Sequence, residues 1–138
     1  MKTERPRVLL VEDNPVDANL VEEALAEAHL DCDLFVVSDG AQAIAFFEHL
    51  ASGDSQELPD MVLLDLNLPK VPGEAVLQRV RSTPRHAATK VFIISSSDAP
   101  ADRERVMKLG VSGYFRKPSN LAQFLELGAR VRAVLGLC

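Results

Sequence analysis

Arg7-Val8-Leu9-Leu10-Val11-Glu12-Asp13-Asn14-Pro15 opens the readable part of the chain. A strand with one face in water alternates apolar and polar residues. Val8–Val11 does not, so it reads as a strand buried on both faces, the habit of parallel sheets covered by helices. Asn14-Pro15 then reads as a helix N-cap followed by proline at the first helical position, where the missing N–H would have had no partner. The stretch is therefore strand, acidic turn, helix. It leaves Glu12 and Asp13 at the strand's C-terminal end.

The same grammar recurs along the chain. The first helix runs to about His29, with Val16, Leu20, Val21, Ala24, Leu25 and Ala28 on its apolar face. A second strand spans Asp33–Val37, and Ser38-Asp39-Gly40 opens a second helix carrying Ala43, Ile44, Phe47 and Leu50. Ala51–Pro59 is polar and reads as a loop. A third strand, Met61–Asp65, leads to a helix from Gly73 to about Ser82. A fourth, Lys90–Ser95, leads to a helix over Asp98–Leu109. A short fifth strand, Gly113–Arg116, precedes a helix capped by Asn120 and running to about Leu135. Five βα units predict an α/β domain, a doubly wound five-stranded parallel sheet in the common order 2-1-3-4-5. In that order the ligand crevice lies between the C-terminal ends of strands 1 and 3. These are the strands that end in Glu12-Asp13 and in Asp65.

Composition narrows the classes. A chain of 138 residues is one domain, and 47% hydrophobic with 25% charged residues is ordinary for a globular protein. The net charge of −5 speaks against a nucleic-acid-binding face. No apolar run approaches the roughly 20 residues of a membrane span, and Met1–Pro6 has no signal-peptide core. Cys32 and Cys138 lack metal-ligand spacing; Cys32 reads as a core residue, and no disulfide is expected. The cytoplasm is the default compartment.

Three carboxylates at one sheet edge repel unless a cation sits among them, which predicts a divalent metal site. Ser95 ends the fourth strand and Lys117 follows the fifth, adding a hydroxyl and an ammonium at the same edge. A carboxylate can attack a phosphoryl group and form an aspartyl phosphate. Lys117 and Ser95 could then hold its oxygens. Each residue has a plainer reading alone: a solvated strand-end acid, a turn cap, a backbone-bonded hydroxyl, a surface lysine, a partly buried tyrosine at Tyr114. Their co-location on successive strands favours a site.

At these residues the chain resembles the receiver domain of two-component response regulators, which have the flavodoxin-like fold. The matching pieces are Val11-Glu12-Asp13-Asn14, Leu64-Asp65-Leu66-Asn67-Leu68-Pro69, Ser95 and Lys117-Pro118, together with Asp39-Gly40 and Ala43. The resemblance implies Asp65 as phosphoacceptor, with Mg²⁺ held by Asp13 directly, by Glu12 mainly through water, by Asp65 and by the backbone carbonyl of Asn67. It implies Ser95 as the switch hydroxyl, Tyr114 as the aromatic rotamer switch, Lys117 as the phosphate-binding lysine, and a peptide before Pro118 that is often cis. Glu12 stands where the family more often has Asp, and Ser95 where it more often has Thr. Such a protein catalyses its own phosphoryl transfer and autodephosphorylation. On phosphorylation Ser95 and Lys117 would move inward, and Tyr114 would rotate in behind Ser95.

A single receiver over residues 1–138 with no output domain is expected, signalling through protein contacts and partnered by a sensor histidine kinase. The loop before Leu58-Pro59-Asp60, the Asn67-Leu68-Pro69 run and the segment Lys117–Leu121 followed by Phe124 resemble the small receivers that accompany phytochromes. In the last helix Leu121, Phe124, Leu125, Gly128, Val131 and Leu135 form a core-facing stripe. Leu127, Val134 and Leu137 lie beside it, and are read as either a broad core face with scattered exposed residues or a homodimer patch. The alternatives are an intermediate in a multistep phosphorelay, an aspartate-nucleophile phosphatase, a flavin carrier and a phosphorylation-independent adaptor. The phosphatase lacks its general acid, because Asn67 stands two residues past Asp65. The flavin carrier lacks a phosphate loop free of carboxylates.

Overall fold

The computed structural model describes residues 5–51, 58–84, 86–97 and 99–136, with the side chains of 50 and 51 left aside. Most of the 51–59 loop, together with Asp98, Leu137 and Cys138, lies outside the described residues. The elements are β1 (Arg7–Val11), α1 (Pro15–Glu27), β2 (Asp33–Val37), α2 (Gly40–Ala51), β3 (Met61–Asp65), α3 (Gly73–Ser82), β4 (Lys90–Ser95), α4 (Pro100–Leu109), β5 (Gly113–Arg116), α5 (Leu121–Phe124) and α6 (Glu126–Val134). The strands form one parallel sheet in the order β2-β1-β3-β4-β5, as the sequence predicts.

Strand burial explains the order. Val8–Val11 and Met61–Asp65 are wholly buried, as is β4 after Lys90, so these strands lie at the centre. The edge strand β2 exposes Phe35 and Val36. Alternation along each central strand divides the core in two. Val8, Leu10, Met61, Leu63, Phe92 and Ile94 face α1, α5 and α6. Leu9, Val11, Val62, Leu64, Val91 and Ile93 face α2, α3 and α4. Among the described residues no helix is long and apolar enough to cross a membrane.

Several local expectations are corrected. The last helix is interrupted at Leu125, where φ −64° and ψ −19° keep the chain helical while the run divides into α5 and α6. Leu127, three residues past Phe124 and four before Val131, is wholly buried with them, whereas Leu121 is half exposed. Leu127 therefore belongs to the core and not to a dimer patch. Val134 packs partly against the same core, and Leu137 lies outside the described residues. Gly128 has a specific reason to be glycine, because a Cβ there would stand 2.0 Å from the Ala24 carbonyl oxygen of α1. Val16, assigned from periodicity to the inner face of α1, is 65% exposed. Cys32 is only partly buried, at the margin of the core. No peptide bond among the described residues is cis, the one before Pro118 included.

Arg81 ties down the end opposite the acidic residues. Its Nε lies 3.2 Å and 3.1 Å from the carbonyls of Leu109 and Gly110, Nη1 3.0 Å and 2.7 Å from those of Ala87 and Thr89, and Nη2 2.6 Å from Gly110. One guanidinium thus satisfies carbonyls on both sides of β4 that helix ends and loops leave without partners. Burial lowers its pKa from the ordinary arginine value. Arg81→Ala is expected to cost about 3 kcal/mol of unfolding free energy in a urea titration, since several charge-assisted bonds vanish together. Arg81→Lys should recover little of it, because an ammonium lacks the fork that spans these carbonyls.

Candidate phosphoacceptor and metal site

Register brings the site together. Val11 pairs with Leu64, so Glu12 and Asp65, one residue further on, emerge side by side. Asp65 pairs with Ile94, and Ser95 pairs with Arg116, which places Ser95 and Lys117 on the next two strands at the same edge. Glu12 prolongs the ladder, its N–H donating to the Val37 carbonyl at 3.1 Å. Lys117 does likewise, its N–H donating to the Ser95 carbonyl at 2.7 Å.

Asn14 fixes the first turn. Its Oδ1 accepts from the N–H groups of Val16 (2.9 Å) and Asp17 (3.3 Å), capping α1. Its own N–H donates to Glu12 Oε2 at 3.2 Å. At β3, the Asn67 N–H donates to Asp65 Oδ1 at 2.9 Å. Gly73 lets α3 approach this turn: a Cβ there would stand 2.2 Å from the Asp65 carbonyl oxygen and 2.7 Å from Leu66 Cα.

The centre of the site is the Lys117 ammonium. Its Nζ lies 2.6 Å from Glu12 Oε1, 2.9 Å from Asp17 Oδ2 and 3.0 Å from Asp65 Oδ2. The side chains of Glu12 and Asp65 are 0% and 4% exposed, so these are charges in a low-dielectric setting. Burial pushes the Glu12 carboxyl up to about 7, opposed by its bond to Lys117 and helped by the neighbouring Asp65. Burial works to lower the pKa of Lys117; its bonds to Glu12 and Asp17 and the charges of Asp65 and Glu12 outweigh that and raise it above the ordinary lysine value.

Glu12, Asp13 and Asp65 each offer a carboxylate oxygen, all within 4.8 Å of one another. One small hard cation with bonds of about 2.1 Å can draw such oxygens around itself, and the donor set is all oxygen, as Mg²⁺ requires. The sequence-predicted site residues thus meet at one edge. The sequence pattern did not reveal Asp17 as a partner of Lys117. Its one signal was position: the first turn of a helix that starts at the acidic strand end.

Ser95 is wholly buried. Its Oγ accepts from Asn67 Nδ2 at 3.2 Å and from the Ser97 N–H at 3.1 Å, and Asn67 Nδ2 also donates to Ser96 Oγ at 3.2 Å. Tyr114 is 5% exposed and already turned inward. Its hydroxyl donates to the Ser97 carbonyl at 2.9 Å, and the Arg103 guanidinium lies 5.0 Å from its ring centroid. Ser97 Oγ in turn donates to Asp102 Oδ2 on α4 at 2.8 Å.

A parallel sheet of this order, with an acidic trio, a buried lysine and a hydroxyl at the ends of its strands, defines a phosphoryl-accepting signalling domain. A family model described as the response regulator receiver domain matches residues 8–128, and the chain belongs to that family. Receivers take a phosphoryl group from a kinase onto an aspartate and bind a divalent cation at their acidic pocket. Response regulator Rcp1 of Synechocystis is 32% identical over 120 residues, covering 87% of this chain and 82% of that protein. Its Mn²⁺-bound structure superimposes with a TM-score of 0.82 at 30% identity, over 93% of this chain and 92% of that one. The phosphorylated cyanobacterial phytochrome response regulator RcpA gives 0.82 at 33% identity, over 94% and 92%. The bacteriophytochrome response regulator RtBRR gives 0.77 at 37% identity, over 98% and 80%.

Replacing Gly73 by alanine should force β3 and α3 apart at Asp65. The expected result is a loss of about 2 kcal/mol or more in denaturant unfolding, as for other overpacked contacts with rigid backbone.

Proposed function

We propose that Asp65 is the phosphoacceptor of this receiver and that its donor is the phosphohistidine of a phytochrome-class sensor kinase. The observation that carries the first half is the Asp65 carboxylate itself. It is nearly buried at the end of β3, with one oxygen on the Asn67 N–H and the other on Lys117. The second half is supported by the likeness to phytochrome response regulators, RcpA and RtBRR foremost.

The chemistry follows from this chain's own groups. An Asp65 oxygen attacks phosphorus, the P–N bond to the donor imidazole breaks, and its electron pair returns to the ring. Lys117 gives the N–H now on Asp65 to a phosphoryl oxygen, where its charge offsets the incoming negative charge. Among the described residues Ser95 Oγ is engaged as an acceptor, and its own proton could go to a second oxygen. Glu12, Asp13, Asp65 and the Asn67 carbonyl would hold Mg²⁺, which when bound compensates the charge of the phosphoryl group and the acidic trio.

The phosphoryl group adds about −1.5 to −2 charge at pH 7. In this reading Ser95 and Tyr114 transmit it. Moving Ser95 toward the phosphate pulls on Ser97, whose carbonyl holds Tyr114 and whose hydroxyl holds α4. The signal then leaves through the surface of α4, β5 and α5 as a change in protein contacts. A phosphatase reading has no support at the general-acid position, where Asn67 is engaged with Ser95 and Ser96.

Asp65→Asn should abolish acid-stable, hydroxylamine-sensitive labelling by a phosphorylated histidine kinase in the presence of Mg²⁺. Persistent labelling of that variant would sink the assignment. Phosphotransfer profiling against the histidine kinases of the source organism tests the pairing, with fastest transfer expected from a phytochrome.

A further inference from the structure

Lys117 has three ammonium hydrogens and three carboxylate partners within 3.0 Å. Two of those partners have other duties if Asp65 is the phosphoacceptor, and the role assigned to the third rests on that reading. Asp65 loses its free carboxylate when it is phosphorylated, and Glu12 belongs to the acidic trio. Asp17 has neither duty. It stands in the first turn of α1, outside that trio, with its Oδ2 on Nζ at 2.9 Å and its side chain 25% exposed. Its place is set by the Asn14 cap, which takes its backbone N–H.

We propose that Asp17 is a positioning residue for phosphoryl transfer. It holds the Lys117 ammonium in place while the bond from Lys117 passes from Asp65 to the phosphoryl oxygen. Lysine carries a flexible four-carbon stem with many rotamers, so a point charge on it is only as well aimed as its anchors make it. Glu12 anchors it from β1 and Asp17 from α1, on two separately placed elements. Removing Asp17 leaves a single permanent anchor. The task requires an acceptor atom at position 17 and does not require a charge.

That requirement separates the proposal from a plainer role, in which an acidic residue in the first turn simply complements the helix dipole. A dipole role depends on charge, so Asp17→Asn and Asp17→Ala would lose it equally. A positioning role depends on an oxygen acceptor, so asparagine can substitute and alanine cannot. The probe is phosphoramidate with saturating Mg²⁺, and the readout is the rate of Asp65 phosphorylation. Asp17→Ala should slow it about tenfold, while Asp17→Asn should stay within about twofold of the parent, in keeping with the sensitivity of transfer to small misplacements. In the unphosphorylated protein, ¹⁵N-edited NMR should show a Lys117 ammonium protected from exchange in the parent and in Asp17→Asn, and lost in Asp17→Ala. Equal rates and equal ammonium protection in the two variants, with an equal fall in melting temperature, overturn the proposal. Labelling that persists in Asp65→Asn overturns the phosphoacceptor assignment instead, and the ammonium spectrum still reports on Asp17 without any phosphate.

Discussion

The site depends on one imbalance of charge. Glu12, Asp13, Asp17 and Asp65 converge on a strand edge where Lys117 is the ammonium that Glu12, Asp17 and Asp65 share. Two like charges about 4 Å apart repel by roughly 4 kcal/mol at an effective dielectric of about 20. That is a sizeable part of the roughly 5–15 kcal/mol that holds a domain folded. One ammonium cannot cancel such a set, so the edge is left short of positive charge. The raised pKa of Glu12 comes first from its burial, with the neighbouring Asp65 adding to it and Lys117 opposing it. The fold tolerates it because β1, β3 and β4 are buried and apolar along their length, and collect their charged residues at the ends.

Much of this was legible in the sequence because it rests on short-range signals. Val8–Val11 and Met61–Leu64 have no polar interruption, and strands of that kind lie inside parallel sheets. The Asn14-Pro15 pair marked the start of α1, and the capping bonds from Asn14 explain why. Once five strands alternate with helices, the acidic ends of β1 and β3 must be neighbours. Glu12, Asp65, Ser95 and Lys117 then follow from register alone.

What was not legible depends on rotation and on side-chain reach. Leu127 faces the core and Leu121 does not, because which of two adjoining apolar stripes packs inward is settled by the sheet it meets and not by the spacing. Val16 obeys the helical period yet sits in the first turn and is exposed. Asp17 and Arg81 read as ordinary surface charges, because their partners lie roughly 100 residues away in one case and are backbone carbonyls in the other. The Tyr114 hydroxyl bonds the Ser97 carbonyl, a strand-to-loop contact that apolar spacing does not reveal.

Ser97 carries a consequence of its own. Its N–H meets the hydroxyl of Ser95, its carbonyl meets Tyr114, and its hydroxyl meets Asp102 of α4. Bonds of this kind conduct in both directions. A protein that grips α4 in only one setting of this loop changes the free energy of the phosphorylated state by the same factor that phosphorylation changes its grip. The target of such a domain is thus also one of its effectors. The lifetime of the message then depends on who is listening.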